Sequence, residues 1–270
     1  MRTAHTLAAL IAAIGLTTLP AAAADGVLIA QKVTSGTTTT THQSQIEKAR
    51  MRSELTSATG RKQVVIFDGG AQVLRMLDEE GKTYTEMSKA DAERLRAQMN
   101  SAMTQVQEQM KNLPPEQRAR MEALMKGRGV IPGTPEPTAY KKVGTDKVGK
   151  WTCDKYEGTR NGEKVSEVCT VGPSALGFTP GDFDVTQQLA EFFSNMMPQA
   201  TEGLFRIGST TPNPNSFSGL PVRFVSFRAG APQMTSEVTE ASRQSFPDAL
   251  FQVPAGYQKR EFPGAGRGRQ

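Results

Sequence analysis

Two histidines, two cysteines and a scatter of acidic pairs are all that this chain of 270 residues offers for covalent or metal chemistry. His5 falls in an N-terminal segment that reads as an export signal, which leaves His42 in a threonine-rich stretch. One imidazole without a free thiol gives a Ser-His-Asp or Cys-His arrangement nothing to complete it, and a His/Cys zinc site lacks ligands. Asp68-Gly69-Gly70 and Asp78-Glu79-Glu80 supply carboxylates, but both are what a chain-reversing turn uses. Gly69-Gly70 introduces no helix, so it is not a phosphate-cradling loop. These residues point away from catalysis: no catalytic residue, metal or cofactor is expected.

The unusual supply is methionine. Twelve occur, five of them (Met99, Met103, Met110, Met121 and Met125) where helices are expected. Leu95, Met99, Met103, Val106 and Met110 recur at spacings of three and four, one apolar stripe on a helix. Thioether side chains are soft and polarisable; they fill irregular cores and also line sites for varied apolar ligands. Two readings are open. Either the stripe packs helices onto a sheet, or Leu95, Met99, Met103, Val106, Met110, Met121 and Met125 face a lipid-sized cavity as a deformable lid. Copper at Met99, Met103 and Met110 would need exposed, clustered sulfurs.

The elements that must position these residues begin as strands. Val27, Ile29 and Val33 alternate with polar neighbours, a threonine run follows at 37–41, and Met51, Ser53 and Leu55 alternate with charges. Val64-Val65-Ile66-Phe67 stops at Asp68-Gly69-Gly70, then come Val73–Leu77 and Thr83–Met87, the spacing of an antiparallel meander. At Ser88 the period changes to that of a helix, with Asp91 in the reciprocal capping position. Pro114-Pro115 ends that helix and opens a second, and residues 127–138 form a Pro-rich connection. Strands resume near Tyr140, a helix is expected over Asp182–Met197, and Val222–Phe227 and Met234–Ala241 are the last long strands. Phe246–Tyr257 adds an apolar clamp.

The compartment decides the cysteines. Arg2, the apolar run Leu7–Leu16 and Ala22-Ala23-Ala24 before Asp25 are the three parts of a signal peptide over residues 1–24, cleaved after about Ala24. The expected location is a bacterial periplasm, or outside the cell, without a lipid anchor and without a membrane span. An oxidising compartment makes Cys153–Cys169 a disulfide. A three-residue loop at Arg160-Asn161-Gly162 would set Thr159 against Glu163. In that register Cys153 opposes Cys169, Trp151 opposes Val171, and Lys155 opposes Glu167. The net charge of +5 is spread over 32 basic and 27 acidic groups, with a basic cluster only at Lys259, Arg260, Arg267 and Arg269, read as a flexible tail over 259–270. No basic face marks a nucleic-acid partner.

The patterns VVIFDGGAQVLRMLDEEGKTYTEM, NLPPEQRARMEALMKGRG, VGKWTCDKYEG and FPDALFQVPAGYQK resemble the domain-of-unknown-function family numbered 4412, over residues 45 to 258. That family is similar in pattern to the periplasmic group containing the lipoprotein carrier LolA and the envelope sensor RseB. The resemblance implies an incomplete barrel: a strongly curved antiparallel sheet with helices packed against its concave face and an apolar cavity between them. The expectation is one α+β domain over 25–258, with 89–126 as a helical insertion. A split at 127–138 would give two domains instead. The implied function is non-catalytic binding of an apolar or lipidic ligand. The rival is an envelope interaction or sensing module whose partner is a protein.

Overall fold

The computed structural model describes residues 25–57, 59–120, 138–194 and 216–261; residues 1–24, expected to be a signal segment, and Met121 and Met125 lie outside them. The first meander is β1 (Gly26–Ser35), β2 (Thr38–Ile46), β3 (Arg50–Thr56), β4 (Lys62–Asp68), β5 (Val73–Asp78) and β6 (Thr83–Ser88). Helix α1 (Lys89–Lys111) follows, and then a helical stretch α2 over 115–120. The second meander is β7 (Ala139–Val148), β8 (Trp151–Arg160), β9 (Glu163–Val171), β10 (Leu220–Arg228) and β11 (Ala231–Gln244). Between β9 and β10 come two 3-10 turns, Pro173–Leu176 and Pro180–Phe183, and α3 (Asp184–Ser194). A short β12 (Gln258–Arg260) ends the described chain.

All twelve strands form one sheet, in the order β12-β6-β5-β4-β3-β2-β1-β11-β10-β9-β8-β7. Every pairing is antiparallel except β12 beside β6. The two meanders meet at one seam, where β1 pairs along its whole length with β11. The sheet is curved and unclosed, with β12 and β7 as its edges. Laid flat, the strands from β6 to β7 would span about 48 Å, while α3 is only about 16 Å long. Yet Met87 on β6, Val148 on β7 and Leu189 on α3 belong to one continuous core.

Burial follows which face is covered. On β4, Phe67 and Val65 face the main core with α3, while Val64 and Ile66 face a second cluster. That second cluster is the underside of the clamp, Phe246, Leu250, Phe251, Val253 and Tyr257. Burial on both faces is why this strand reads as an unbroken apolar run rather than an alternating one. Arg50 fastens the clamp: its guanidinium bonds Asp248 at 2.5 Å and lies 4.5 Å from the Phe251 ring centre. The basic end is less free than the sequence suggested. Lys259 and Arg260 are in β12, and Lys259 bonds Glu86 at 2.7 Å.

The hairpin register needs a correction. Asn161 and Gly162 both take left-handed φ, 52° and 76°, so the loop has two residues and Arg160 faces Glu163. Positive φ at both central positions is the turn that Asn-Gly favours. A bulge between Gly158 and Thr159 then slides the strands, so that Lys155 opposes Cys169. Trp151 accordingly does not oppose Val171, which faces Leu220 on β10; across its other edge Trp151 faces Val148 on β7. The net displacement from the expected register is two residues, which preserves the side-chain face. Cys153 and Cys169 therefore still bond, on a diagonal, with Cα atoms 5.4 Å apart. Lys155 still reaches Glu167 at 3.2 Å.

Helix α1 starts as its sequence requires. The Ser88 hydroxyl accepts from the Asp91 N–H at 3.2 Å, and the Asp91 carboxylate accepts from the Ser88 N–H at 2.9 Å. The Ser88 hydroxyl, the Ser88 N–H and Arg94 together pull the Asp91 carboxyl down to about 2. Because its folded value lies below the unfolded one, Asp91 stabilises fully above about pH 4, and that contribution fades as pH falls toward 2. Ser88→Ala should cost about 1 kcal/mol, and Asp91→Asn should flatten the urea midpoint between pH 6 and pH 3. An unchanged pH slope in Asp91→Asn would remove Asp91 from the acid response.

Candidate functional site

Strands β2 to β6 pair without a register shift, so alternation assigns each side chain to a face. Ile46, Met51, Phe67, Leu74 and Met87 lie in the main core. Even-numbered steps from these residues put His42, Leu55, Gln63, Met76 and Thr85 on that same face, farther along the strands. All five line an open trough of about 920 Å³. Leu55 faces Gln63 and, one step farther along the same face, Met76 faces Thr85 across directly paired strands, so the floor is two adjacent rows of the sheet. Leu55 and Met76 are half-buried. The rim comes from the turns at 57–61 and 78–83, with Ser57, Thr59, Arg61, Asp78 and Thr83. A cavity of this size with an apolar floor and a few polar groups has the dimensions of a small-molecule site.

The polar groups in it are disposed for binding. Burial lowers the His42 pKa, against a raising contribution from a hydrogen bond with the Thr56 backbone, which keeps the ring neutral at pH 7. Its Nε2 lies 3.4 Å from the Thr40 hydroxyl. Among the described residues Asp78 is the one carboxylate lining the trough. Its Oδ1 accepts from the Glu80 and Gly81 N–H groups at 3.2 and 3.3 Å, and its Oδ2 from Arg61 at 3.5 Å. No group of three or more His, Cys, Asp or Glu able to hold a metal occurs among the described residues.

The β8–β10 part of the same face is closed by ion pairs. Glu157 and Glu167 are direct neighbours, and Lys164 sits between them, 3.3 and 2.6 Å from their carboxylates. Its ammonium also lies 4.6 Å from the Phe227 ring centre. Burial would raise the Glu167 carboxyl, but the bonds from Lys164 and Lys155 outweigh it and hold the group below its ordinary value. Every charge in this cluster has a partner on an adjacent strand.

The methionine stripe is placed differently from the trough. Ala92 and Leu95 reach the main core, while every described side chain from Arg96 to Gln109 is exposed. Met99 is 49% and Val106 38% exposed. Met110 is buried near the helix end, where Arg118 donates to its carbonyl oxygen at 3.1 Å. The side chain of Met103, and all of Met121 and Met125, fall outside the described residues. The main core is instead covered by α3 and the 3-10 turns through Phe178, Phe183, Val185, Leu189 and Phe192. Of the described stripe residues, none of Leu95, Met99, Val106 and Met110 lines the trough. His42, Leu55, Gln63, Met76 and Thr85 went unremarked in the sequence as a group, since strand alternation alone does not say which end of a face is left uncovered.

No protein-family model matches the chain, and no curated protein matches it either. Solved structures with a related course of the chain do exist. An uncharacterised conserved protein from Thermus thermophilus aligns over 88% of this chain and 91% of its own, with 8% identity and a TM-score of 0.45. MucB in complex with MucA(peri) aligns over 87% of this chain and 55% of its own, with 11% identity and a TM-score of 0.37. The MucA/MucB complex from Pseudomonas aeruginosa aligns over 85% of this chain and 56% of its own, with 12% identity and a TM-score of 0.38. This chain thus spans little more than half the length of those MucB chains. Likeness at these values carries neither a shared activity nor a shared partner. No helix among the described residues is long and apolar enough to cross a membrane.

Proposed function

We propose that this chain is an exported, non-catalytic binding protein of the LolA/RseB-like half-barrel kind, holding an apolar or lipidic ligand on the concave face of its sheet. The observation that carries the reading is the open trough floored by Leu55 and Met76 at the uncovered end of the core face. The signal sequence at 1–24 and the Cys153–Cys169 bond support export to an oxidising compartment. The trough, rather than the α1 stripe, is the ligand site in this reading. Met76→Glu should weaken uptake of a fluorescent fatty acid by about tenfold or more, a charge having been placed on an apolar floor. Met99→Glu should leave uptake unchanged. The opposite pattern would return the site to the helix, and native mass spectrometry of periplasmic protein showing no ligand and no uptake would end the carrier reading.

A second reading rests on a separate observation. Helix α1 has 23 residues, and past Leu95 it holds Met99 and Val106 in solvent. An exposed apolar stripe on a charged helix suits a groove on another envelope protein. Crosslinking in cells discriminates the two: a stoichiometric protein lost in Met99→Glu supports this reading, and lipid recovered with the Met99→Glu protein supports the first.

A further inference from the structure

We infer that the outer edge of β7, from Lys141 to Lys147, is a docking site at which an acidic, extended segment of another protein adds to the sheet. The trough plays no part in it.

The two edges of the sheet are finished differently. At one, the chain returns as β12 and covers β6, with the Gln258 N–H donating to the Lys82 carbonyl oxygen at 2.9 Å. At the other, β7 runs for 10 residues with β8 as its one strand neighbour. An edge strand carries a row of backbone N–H and C=O groups that no second neighbour takes up. The Lys147 N–H donates to the Asp146 carboxylate at 2.8 Å. Among the described residues, no other N–H from Lys141 to Val148 has a partner outside the β7–β8 ladder.

The side chains say what this edge accepts. Lys141, Lys142 and Lys147 are all exposed. Lys142 reaches Asp154 at 2.8 Å, but Lys141 and Lys147 have no carboxylate partner among the described residues. The one carboxylate on the strand, Asp146, is held by Arg223 from β10. Cations are therefore available along the edge and no anion is. Between the lysines, Val143 is the extra residue of a bulge and is 52% exposed.

Lysines and bulges are how an open edge is guarded, and against a second copy of this chain they work. Pairing β7 with another β7 would crowd like charges onto adjacent strands. Against an acidic strand the same lysines attract. Carboxylates beside Lys141 and Lys147 make cross-strand pairs of opposite charge, and an apolar side chain packs on Val143. The backbone of both strands supplies the rest of the affinity. The lysines thus decide which strand docks.

The test uses the purified protein and a capped synthetic peptide of about ten residues alternating glutamate with valine, long enough to span the edge. Hydrogen exchange should slow at the outward N–H groups of 141–147 when the peptide is added, and not on β6 or β12. The same peptide with lysine in place of glutamate should bind about tenfold more weakly or worse. A version methylated on every amide nitrogen should give no protection, having lost its backbone donors. Lys141→Glu with Lys147→Glu, two changes at exposed positions, should weaken the glutamate peptide about tenfold and leave the melting temperature unchanged. Met76→Glu should leave peptide binding as it is. No slowing at 141–147 overturns the docking edge, and equal binding of the two charged peptides overturns the acidic partner. Slow exchange of the outward groups in monomeric protein before any peptide is added would mean that the chain covers its own edge. The same protection arising with dimer formation would give the edge to a second copy, and either result overturns the inference.

Discussion

Phe67→Ala should destabilise the protein by about 3–5 kcal/mol, the largest effect expected of any single substitution here. Phe67 is fully buried on β4, and its ring meets that of Phe192 on α3 edge to face, with centroids 5.6 Å apart. Truncation removes the apolar area of the ring and leaves a cavity between a strand and the helix that covers the main core. The strand is held on both faces, by α3 above and by the Phe246–Tyr257 clamp below, so the site has little freedom to collapse. The urea midpoint should fall sharply, with the denaturant slope unchanged. A loss below about 1 kcal/mol would mean that α3 does not pack on β4 as described.

Removing the disulfide by Cys153→Ser with Cys169→Ser should cost about 2–4 kcal/mol. The bond closes a loop of sequence separation 16, and both sulfurs are buried in the main core. Two hydroxyls would replace them in apolar surroundings, which adds to the lost chain constraint. Ligand uptake should survive in the cold, because Leu55 and Met76 belong to the first meander and the cysteines to the second. Mass mapping of non-reduced peptides checks the pairing, and two free thiols in protein purified from its own cells would refute it. A double mutant that stays folded but loses ligand would instead place the cysteines in the site.

Much of the strand content was legible because the local signals agree with the final arrangement. The Ser88 cap, the Asn161-Gly162 turn and the threonine run of β2 each need only a few neighbouring residues to be understood. The disulfide was legible despite a wrong loop length, since the error was an even number of residues and left the side chains on the correct face. The helical stripe misled for the opposite reason. Its spacing makes an apolar face, but whether that face meets the sheet depends on the angle at which α1 leaves β6. No residue between Leu95 and Met110 encodes that angle. The trough was hidden in the same way. His42, Leu55 and Met76 lie on three strands, and they converge only through sheet register and the shortness of α3. The β12 strand was missed because three exposed residues carry no periodicity to read.

The order of the strands also has a meaning in time. Each meander consists of neighbours in sequence, so each can be zipped up locally. The seam between them cannot, since Gly26 pairs with Gln244 at the far end of the chain. A polypeptide made N-terminus first therefore presents β1, which carries the fully buried Val27 and the nearly buried Ile29, as an unpaired edge until β11 arrives. Long-range pairing of this kind is slow, and an open apolar edge recruits other chains while it waits. The interval between emergence of β6 and of β11 is thus the period in which this protein is most prone to aggregate. Moving the termini into the 127–138 connection would make β11 and β1 neighbours in sequence and shorten it.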